Sequence, residues 1–242
     1  MSALAEPTLW PWALGAVLAN HAVLTAAGLS PRSRLLGSNW TRLPGTPAAR
    51  IALTLDDGPD PQITPRVLEL LAQHGAPATF FCIGERVAAH PALTRDMVAA
   101  GHAVENHSQR HLHHFSLLGP HALRAEIERA QQTIAGTTGV SPRFFRAPAG
   151  LRSPLLDPLL QRLGLRLASW TRRGFDTVDH HPGRVLGALT RTLGPGDILL
   201  LHDGHAARTA GGTAVILEVL PRLLAAVRDA GLKPVTLREA LT

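Results

Sequence analysis

Short apolar runs alternate with helix-like segments through most of the chain, and this alternation limits the fold more than any other feature. Apolar residues recur at helical spacing in segments such as residues 64–74, 123–133 and 214–227. Seven runs have the length and composition of buried strands: residues 51–55, 78–83, 103–105, 144–147, 165–170, 198–201 and 233–237. Strands that alternate with helices predict an α/β fold with a parallel sheet. No glycine-rich phosphate loop follows the first run, which favours a closed or nearly closed (β/α) barrel over an open doubly wound sheet.

Composition excludes several kinds of protein. The 242 residues are 45% hydrophobic and 17% charged, a balance that predicts a globular domain with a large core. Cys82 is the single cysteine, which rules out a disulfide framework and a multi-cysteine zinc module. The net charge is +6, but the arginines are scattered, so no nucleic-acid partner is predicted. Histidine stands out, because five of the 13 lie between residues 102 and 114.

Residues 9–29 form an apolar segment without a charged residue, long enough to cross the hydrocarbon layer of a membrane. Pro11 and the pair Asn20-His21 argue against a spanning helix, and no Lys or Arg precedes the segment as in a signal peptide. Two interpretations stay open: a helix packed on the domain surface, or membrane association. Arg32 and Arg34 follow the segment, so a spanning helix would leave the rest of the chain on the cytoplasmic side. The expected location is therefore cytoplasmic or membrane-associated.

Residues 37–50 are rich in glycine and proline, as is typical of a linker. We therefore divide the chain into residues 1–49, an apolar segment and linker that is a candidate membrane anchor, and residues 50–242, the domain that carries the predicted strands and helices. If the first part is only an anchor, a chain that begins at Arg50 should stay soluble and active.

Polar side chains with catalytic chemistry follow several of the predicted strands. In a (β/α) barrel, the loops at the carboxyl ends of the strands carry the chemistry. Many of the chain's ligand-type residues fall there: Asp56, Asp57, Asn106, His107, Arg146 and His202. This coincidence predicts an active site at that end of the barrel.

Two acids and two histidines have the pattern of a metal site. Asp56 and Asp57 end the first strand, and neighbouring acids repel each other unless a cation lies nearby. His107 and His111 are four residues apart, which on a helical turn would bring both imidazoles to one face. With Asp57 as third ligand, they would form a facial set that leaves positions open for water and substrate.

An arginine and a third histidine complete the candidate site. Arg146 follows two phenylalanines, so we expect it to be partly buried and to pair with Asp56. His202 follows the apolar run 198–201, and it is either a hydrogen-bonded core residue or a catalytic acid or base.

Four motifs, in order, resemble those of the polysaccharide deacetylases, the NodB-homology carbohydrate esterases of family 4. Residues 53–59 (LTLDDGP) are similar to the family's TFDDGP, and residues 101–111 (GHAVENHSQRH) to its GHxxxNH(S/T)xxH. Residues 145–150 (FRAPAG) are similar to FRxPxG, and residues 200–203 (LLHD) to LxHD. The resemblance covers about residues 50–240 and implies a distorted (β/α) barrel of about seven parallel strands.

The resemblance also implies a role for each site residue. Asp57, His107 and His111 would bind a divalent metal, most commonly Zn²⁺, with Co²⁺, Mn²⁺ or Ni²⁺ as alternatives. The remaining catalytic roles would fall to Asp56 as general base, His202 as general acid, and Arg146 and Asp176 as their respective partners. Substrate and oxyanion contacts would come from Ala149, Trp170 and Leu200.

Three departures from the family pattern affect the expected substrate more than the reaction. Ala149 stands where the family often has Tyr, but it keeps the backbone N–H that would stabilise the oxyanion. Leu55 replaces a Phe of the first motif. The family's fourth motif, usually acid-rich, reads SWTRRGFD over residues 169–176 and leaves Asp176 as its candidate acid.

The expected function is metal-dependent hydrolysis of an N-acyl group, most likely N-acetyl, from an amino sugar of a polysaccharide or glycoconjugate. The alternatives are a deformylase or deacetylase of a lipid-linked amino sugar, and a catalytically silent carbohydrate-binding barrel. The apolar segment 9–29 and the low aromatic content of 4% favour the lipid-linked substrate over a long polymer. The sequence makes no prediction about the oligomeric state.

Overall fold

A computed structural model describes residues 9–45 and 49–241. Residues 1–8 and 46–48 of the predicted segment 1–49 lie outside the described residues. The strands are β1 Arg50–Asp56, β2 Thr79–Cys82, β3 Ala103–Asn106, β4 Phe144–Phe145, β5 Arg166–Leu167, β6 Arg172–Arg173, β7 Ile198–His202 and β8 Lys233–Val235. The helices are α1 Trp10–Leu29, α2 Thr64–Gln73, α3 Gly84–Ala89, α4 Pro91–Ala99, α5 Pro120–Thr138, α6 Leu156–Arg162, α7 Pro182–Thr190 and α8 Val215–Asp229.

All strand pairings are parallel, and the sheet curls into a half-barrel in the order β5-β4-β3-β2-β1-β7-β6. β8 pairs with the beginning of β1, at residues 50–52. The predicted (β/α) barrel is thereby confirmed, and each of the seven predicted runs contains a strand. β6 was not predicted, because Arg172 and Arg173 form a polar dipeptide that pairs only through its position beside β7.

Alternation along the strands sorts side chains between two apolar layers. Leu53 and Leu55 of β1 pack in the core that β1 forms with α2 and α8, whereas Ala52 belongs to the cluster inside the barrel. β7 follows the same rule, with Leu199 and Leu201 outside and Ile198 and Leu200 inside. Both strands are buried on both faces, which explains their nearly continuous apolar sequence.

The chain between α1 and β1 packs on the barrel. The Trp40 ring meets the Phe144 ring edge-on, with centroids 5.1 Å apart, and Trp40 forms a parallel bridge with Ala168. Arg42 bridges to Asp197, just before β7. The segment therefore runs from the end of β5 to the start of β7, and Leu36, Asn39 and Leu43 are buried along it.

Helix α1 contacts the barrel only at its C-terminal end. Ala27 and Gly28 are its buried residues, and the Gly28 carbonyl accepts a hydrogen bond from the Arg152 N–H at 3.1 Å. The helix is long and apolar enough to cross a membrane, and 11% of its most apolar window is buried. Near its start, Trp10 and Trp12 are 59% and 79% exposed.

Candidate active site

The alternation of the strands directs three functional side chains into the barrel. Side chains two residues apart on a strand point to the same face. Asp56 therefore shares the inward face of β1 with Ala52, and His202 shares the inward face of β7 with Ile198 and Leu200. β1 and β7 are in register so that Asp56 stands beside His202. Arg146 follows β4 and lies two residues after the inward-facing Phe144, so its side chain points to the same side of the sheet. The sequence-predicted residues therefore meet at the carboxyl ends of the strands, as expected for this fold.

Asp57, His107 and His111 converge on one point. The Asp57 Oδ1 atom lies 3.3 Å from Nε2 of His107 and 3.3 Å from Nε2 of His111. The three ligand atoms lie within 4.8 Å of one another, and His111 is the most exposed of the three. One aspartate oxygen and two imidazole nitrogens are suitable ligands for a divalent metal that keeps open positions.

The two histidines reach this point from a loop, so the sequence-based placement on one face of a helical turn is wrong. β3 ends at Asn106, and no helix follows it until the 3-10 turn at Phe115–Leu117. Ser108 and His111 instead adopt left-handed backbone conformations, with φ of 65° and 53°. The Ser108 hydroxyl accepts the His111 N–H at 3.0 Å and thereby fixes the loop. Backbone strain of this kind concentrates at functional sites.

Two observations show that these residues fit a metal ion. Asp57 Oδ1 is buried and has no hydrogen bond partner among the described residues, an arrangement that is costly unless a cation binds there. The Nδ1 atom of His107 is 2.8 Å from the Arg146 carbonyl oxygen, so this nitrogen donates and Nε2 is left with its lone pair toward Asp57. Burial alone would raise the pKa of Asp57, but the adjacent imidazoles of His107, His205 and His111 hold it well below its ordinary value.

Asp56 is held by a buried arginine. Arg146 Nη1 donates to Asp56 Oδ1 at 2.6 Å and to the Thr54 hydroxyl at 2.9 Å. Nε and Nη2 of the guanidinium donate to the carbonyls of Ala168 and Ser169. The guanidinium carbon also lies 4.1 Å from the centre of the Phe81 ring. Asp56 Oδ2 is left on the side of the candidate metal ligands, 3.8 Å from His107 Nε2. One carboxylate oxygen is therefore fixed while the other is free to accept a proton.

His202 is oriented by Asp176. The His202 Nδ1 atom lies 2.9 Å from Asp176 Oδ1, and the His202 backbone N–H donates to Asp176 Oδ2 at 2.8 Å. Both residues are buried, with Asp176 at 0% exposure. Burial alone would lower the pKa of His202, but the hydrogen bond and negative charge of Asp176 raise it above its ordinary value. The imidazole therefore presents Nε2 to the pocket and favours its protonated form.

These groups line one pocket of about 210 Å³ at the mouth of the barrel. Ala149, Trp170 and Leu200, which were predicted to contact substrate, form part of its wall. Ala149 is exposed and has a φ of 53°, in the left-handed region. The remaining lining residues are Gly150, Arg173, Thr177 and His205, together with Asp56, Asp57, His107, His111 and His202.

Sequence reasoning missed His205, which lies in the pocket wall beside the candidate metal ligand Asp57. Its Nδ1 atom is 3.3 Å from Asp57 Oδ2, and its Nε2 atom is 2.9 Å from Arg86 Nη2. The close approach depends on Gly204, where a Cβ atom would lie 2.4 Å from the Asp57 carbonyl oxygen. The available signal was the pair Gly204-His205, which directly follows the LLHD motif of residues 200–203.

The other histidines of the cluster, His102, His113 and His114, are not among the candidate metal ligands. His113 and His114 are exposed. His102 is buried, accepts the Ala78 N–H at 3.2 Å and packs edge-on against Phe80.

Fold and site together define a class of protein, the hydrolases that use a bound divalent metal to activate water at the mouth of an α/β barrel. Within this class, the sequence model of the family described as "Polysaccharide deacetylase" matches residues 44–168, slightly more than half of the chain. The chain belongs to the polysaccharide deacetylase family, whose members are metal-dependent amide hydrolases. The predicted resemblance is thereby confirmed.

Individual relatives agree with this assignment. The chain is 35% identical over 193 residues to a chitooligosaccharide deacetylase of Sinorhizobium fredii, covering 77% of this chain and 89% of the relative. It is 33% identical over 199 residues to a peptidoglycan-N-acetylglucosamine deacetylase of Bacillus cereus, covering 79% and 87%. Among solved structures, a mutant of a CE4 family pseudoenzyme from Bacillus anthracis with restored enzymatic activity superposes with a TM-score of 0.76 at 25% identity, covering 85% of this chain and 71% of that one.

Proposed function

We propose that this protein hydrolyses the N-acetyl group of an N-acetylglucosamine-type sugar, with Asp56 as general base and His202 as general acid. The single observation that carries the proposal is that the two neighbouring aspartates differ in their hydrogen-bond partners. Asp57 offers an unpaired Oδ1 atom beside two imidazoles, whereas Asp56 has one oxygen bound by Arg146 and the other free. Relatives that act on chitooligosaccharides and on peptidoglycan support an N-acetylated amino sugar as substrate.

Asp57, His107 and His111 would hold the metal, and Zn²⁺ suits one carboxylate and two imidazoles. When bound, such an ion lowers the pKa of water toward neutrality and polarises the acyl carbonyl. Asp56 Oδ2 is the group that takes a proton from the attacking water, because Oδ1 is bound by Arg146. Arg146 holds the Asp56 carboxylate in the orientation that this step needs.

His202 supplies the second proton transfer. Its Nδ1 atom is bound by Asp176, so Nε2 is the nitrogen that protonates the departing amine. The Asp176 carboxylate raises the pKa of His202, which favours the protonated imidazole that this step needs. Ala149 would contribute its backbone N–H to the developing oxyanion, and Trp170 a ring face to the sugar.

The same set of residues argues against the catalytically silent barrel. The three candidate metal ligands lie close together, with Asp57 Oδ1 3.3 Å from each imidazole. The proposed base Asp56 is hydrogen-bonded to Arg146, and the proposed acid His202 is hydrogen-bonded to Asp176. A protein that only binds carbohydrate would not need to keep the buried Asp56–Arg146 pair, which is expensive to desolvate.

The experiment that tests the function is metal content with and without a chelator, paired with acetate and formate release from N-acylated amino sugars. We expect one divalent metal per chain and chelator-sensitive acetate release. An Asp56→Asn variant should retain the metal and lose about 10²-fold or more in kcat, since general-base catalysis contributes on that order. No metal uptake on titration would refute the proposal, and unchanged kcat in the Asp56→Asn variant would remove Asp56 as the base.

A second candidate substrate, an amino sugar linked to a membrane lipid, is favoured by the position of α1. The helix ends at Leu29, and Pro31 packs against the pocket wall, where a Cβ atom on Gly150 would lie 2.7 Å from Pro31 Cβ. The Ser169 hydroxyl donates to the Pro31 carbonyl at 2.6 Å, on the other side of the same contact. If α1 is embedded in a membrane, the pocket wall lies only a few residues of chain from the end of the embedded helix.

A further inference from the structure

Arg173 lies in the pocket wall without a partner for its charge. The guanidinium carbon is 5.1 Å from the centre of the Phe175 ring and 5.7 Å from that of Trp170. Its Nε atom is buried without a hydrogen bond, and no described residue forms a hydrogen bond or an ion pair with this side chain. Aromatic contacts hold a guanidinium in place but leave its hydrogen-bonding fork unused.

The neighbouring arginine shows what a partnered side chain looks like in this sheet. Arg172 donates through Nε to Asp197 at 2.6 Å and through its terminal nitrogens to the carbonyls of Arg191 and Thr192. Arg172 is therefore explained by the packing of the barrel. Arg173, one residue on, points to the pocket and has no such role.

The acids of the pocket cannot neutralise Arg173, because both are already committed. Asp56 pairs with Arg146, and Asp57 faces His107 and His111. A guanidinium stays charged at any physiological pH, and a half-buried charge without a counter-ion is unfavourable. The pocket therefore has a fixed positive charge at a defined place on its wall.

We infer that Arg173 binds an anionic group of the substrate, a phosphate or a carboxylate, so that the preferred substrate is a negatively charged N-acyl amino sugar. The inference rests on the proposed function and narrows its substrate class. A planar guanidinium binds either group through two parallel hydrogen bonds. Thr177 lines the same pocket and is a second polar residue in its wall. A neutral chitooligosaccharide would leave the arginine desolvated and unpaired, which penalises it as a substrate.

The test compares three disaccharides that differ in charge: neutral di-N-acetylchitobiose, its 1-phosphate, and a disaccharide whose second sugar bears a lactyl carboxylate. Binding is measured by calorimetry on the full metal-loaded chain, in an Asp56→Asn background that prevents turnover. We expect one anionic disaccharide to bind at least ~10-fold more tightly than the neutral one, as a charge-assisted contact provides. The anionic disaccharide whose affinity exceeds that of the neutral one identifies the recognised group as phosphate or carboxylate.

Variants assign the preference to Arg173. Arg173→Gln should abolish the preference by lowering the affinity for the anionic disaccharide toward that for the neutral one, whereas Arg173→Lys should keep part of it. Arg129→Gln is the matched control, because this exposed arginine of α5 does not line the pocket. Equal binding of all three disaccharides, or a preference that survives Arg173→Gln, would overturn the inference.

Acetate release from the same three compounds, with Asp56 intact, separates this inference from the proposed function. If none is hydrolysed although the anionic preference depends on Arg173, the reaction is refuted and the anion site stands. If all three are hydrolysed and bound alike, the reaction stands and the anion site is refuted.

Discussion

Single side chains decide whether this site can hold a metal, and the loop after β3 offers a matched pair to test it. His111→Ala removes one of two imidazoles beside Asp57, and we expect metal affinity to fall at least ~100-fold. His113→Ala removes an exposed histidine of the same loop and should leave metal content unchanged. Dialysis against metal buffers followed by elemental analysis measures both. Stoichiometric metal in His111→Ala would remove this residue from the ligand set.

The contact between Asp176 and His202 predicts a shift in the pH profile. Asp176→Asn removes the charge that raises the pKa of His202, so the acid form is lost at a lower pH. We expect the alkaline limb of kcat/KM to move to lower pH, together with a lower kcat.

A control is available three residues away. Asp179 carries the same charge but pairs with Arg184 rather than with the site. Asp179→Asn should therefore leave the profile in place. A profile that is the same in Asp176→Asn and in wild type would show that Asp176 does not set the protonation of His202.

Part of the site could be predicted from residue patterns, because the alternation of side chains along a strand determines which face each one occupies. Asp56 and His202 follow apolar runs, and the inward series on each strand fixes where they point. His205 and Arg173 could not be placed in this way. His205 reaches Asp57 only because Gly204 lets two backbone segments approach closely, and Arg173 lies in a strand with no apolar pattern. Contacts between distant segments set both positions.

At the scale of the elements, the start of the β2–β3 ladder carries a pH-dependent contact. Burial lowers the pKa of His102 to about 4, against an ordinary value of 6.5. The neutral imidazole accepts the Ala78 N–H and packs on Phe80. The folded-state pKa is the lower one, so this contribution to stability is complete above pH 6.5 and is lost as the pH falls toward 4.

We expect His102→Asn to remove this dependence, because an asparagine oxygen can accept the Ala78 N–H without titrating. The difference in unfolding free energy between wild type and variant should change by on the order of 2–3 kcal/mol between pH 7 and pH 4. Urea unfolding at both pH values measures it. A difference that does not vary with pH would contradict the assignment.

The helices and strands show where sequence patterns succeed and fail. α2, α5 and α8 were predicted from apolar spacing and are present, since each buries one face against the sheet. The histidine loop was misread as a helical turn, because a spacing of four residues has no unique conformation. Two positive φ values, at Ser108 and His111, arise from loop contacts that the spacing does not encode.

For the molecule as a whole, the structure suggests where an N-terminal truncation should be made. Residues 27–43 pack on the barrel through Trp40, Leu36 and Leu43, so we expect a chain that begins at residue 25 to stay soluble and active. A chain that begins at Arg50 loses these contacts and should unfold ~5–10 °C earlier or aggregate. Equal melting temperatures for the two shortened chains would show that the segment adds nothing to stability.

The same chains test membrane association. The exposed apolar surface of α1, with Trp10 and Trp12 near its start, should carry the full chain to the top of a sucrose gradient with phosphatidylglycerol-containing vesicles. The chain that begins at residue 25 should stay at the bottom. If neither chain floats, α1 does not bind the membrane and its apolar surface must serve another contact. The argument for a lipid-linked substrate would then fail.

β1 is bonded along both edges, by β7 on one side and by β8 and then β2 on the other. Its amide protons can therefore exchange with deuterium only when the whole domain opens. This strand ends in Asp56 and is followed directly by Asp57, so the proposed base and the candidate carboxylate ligand are attached to the last part of the molecule to come apart. Thermal inactivation should accordingly coincide with global unfolding instead of preceding it.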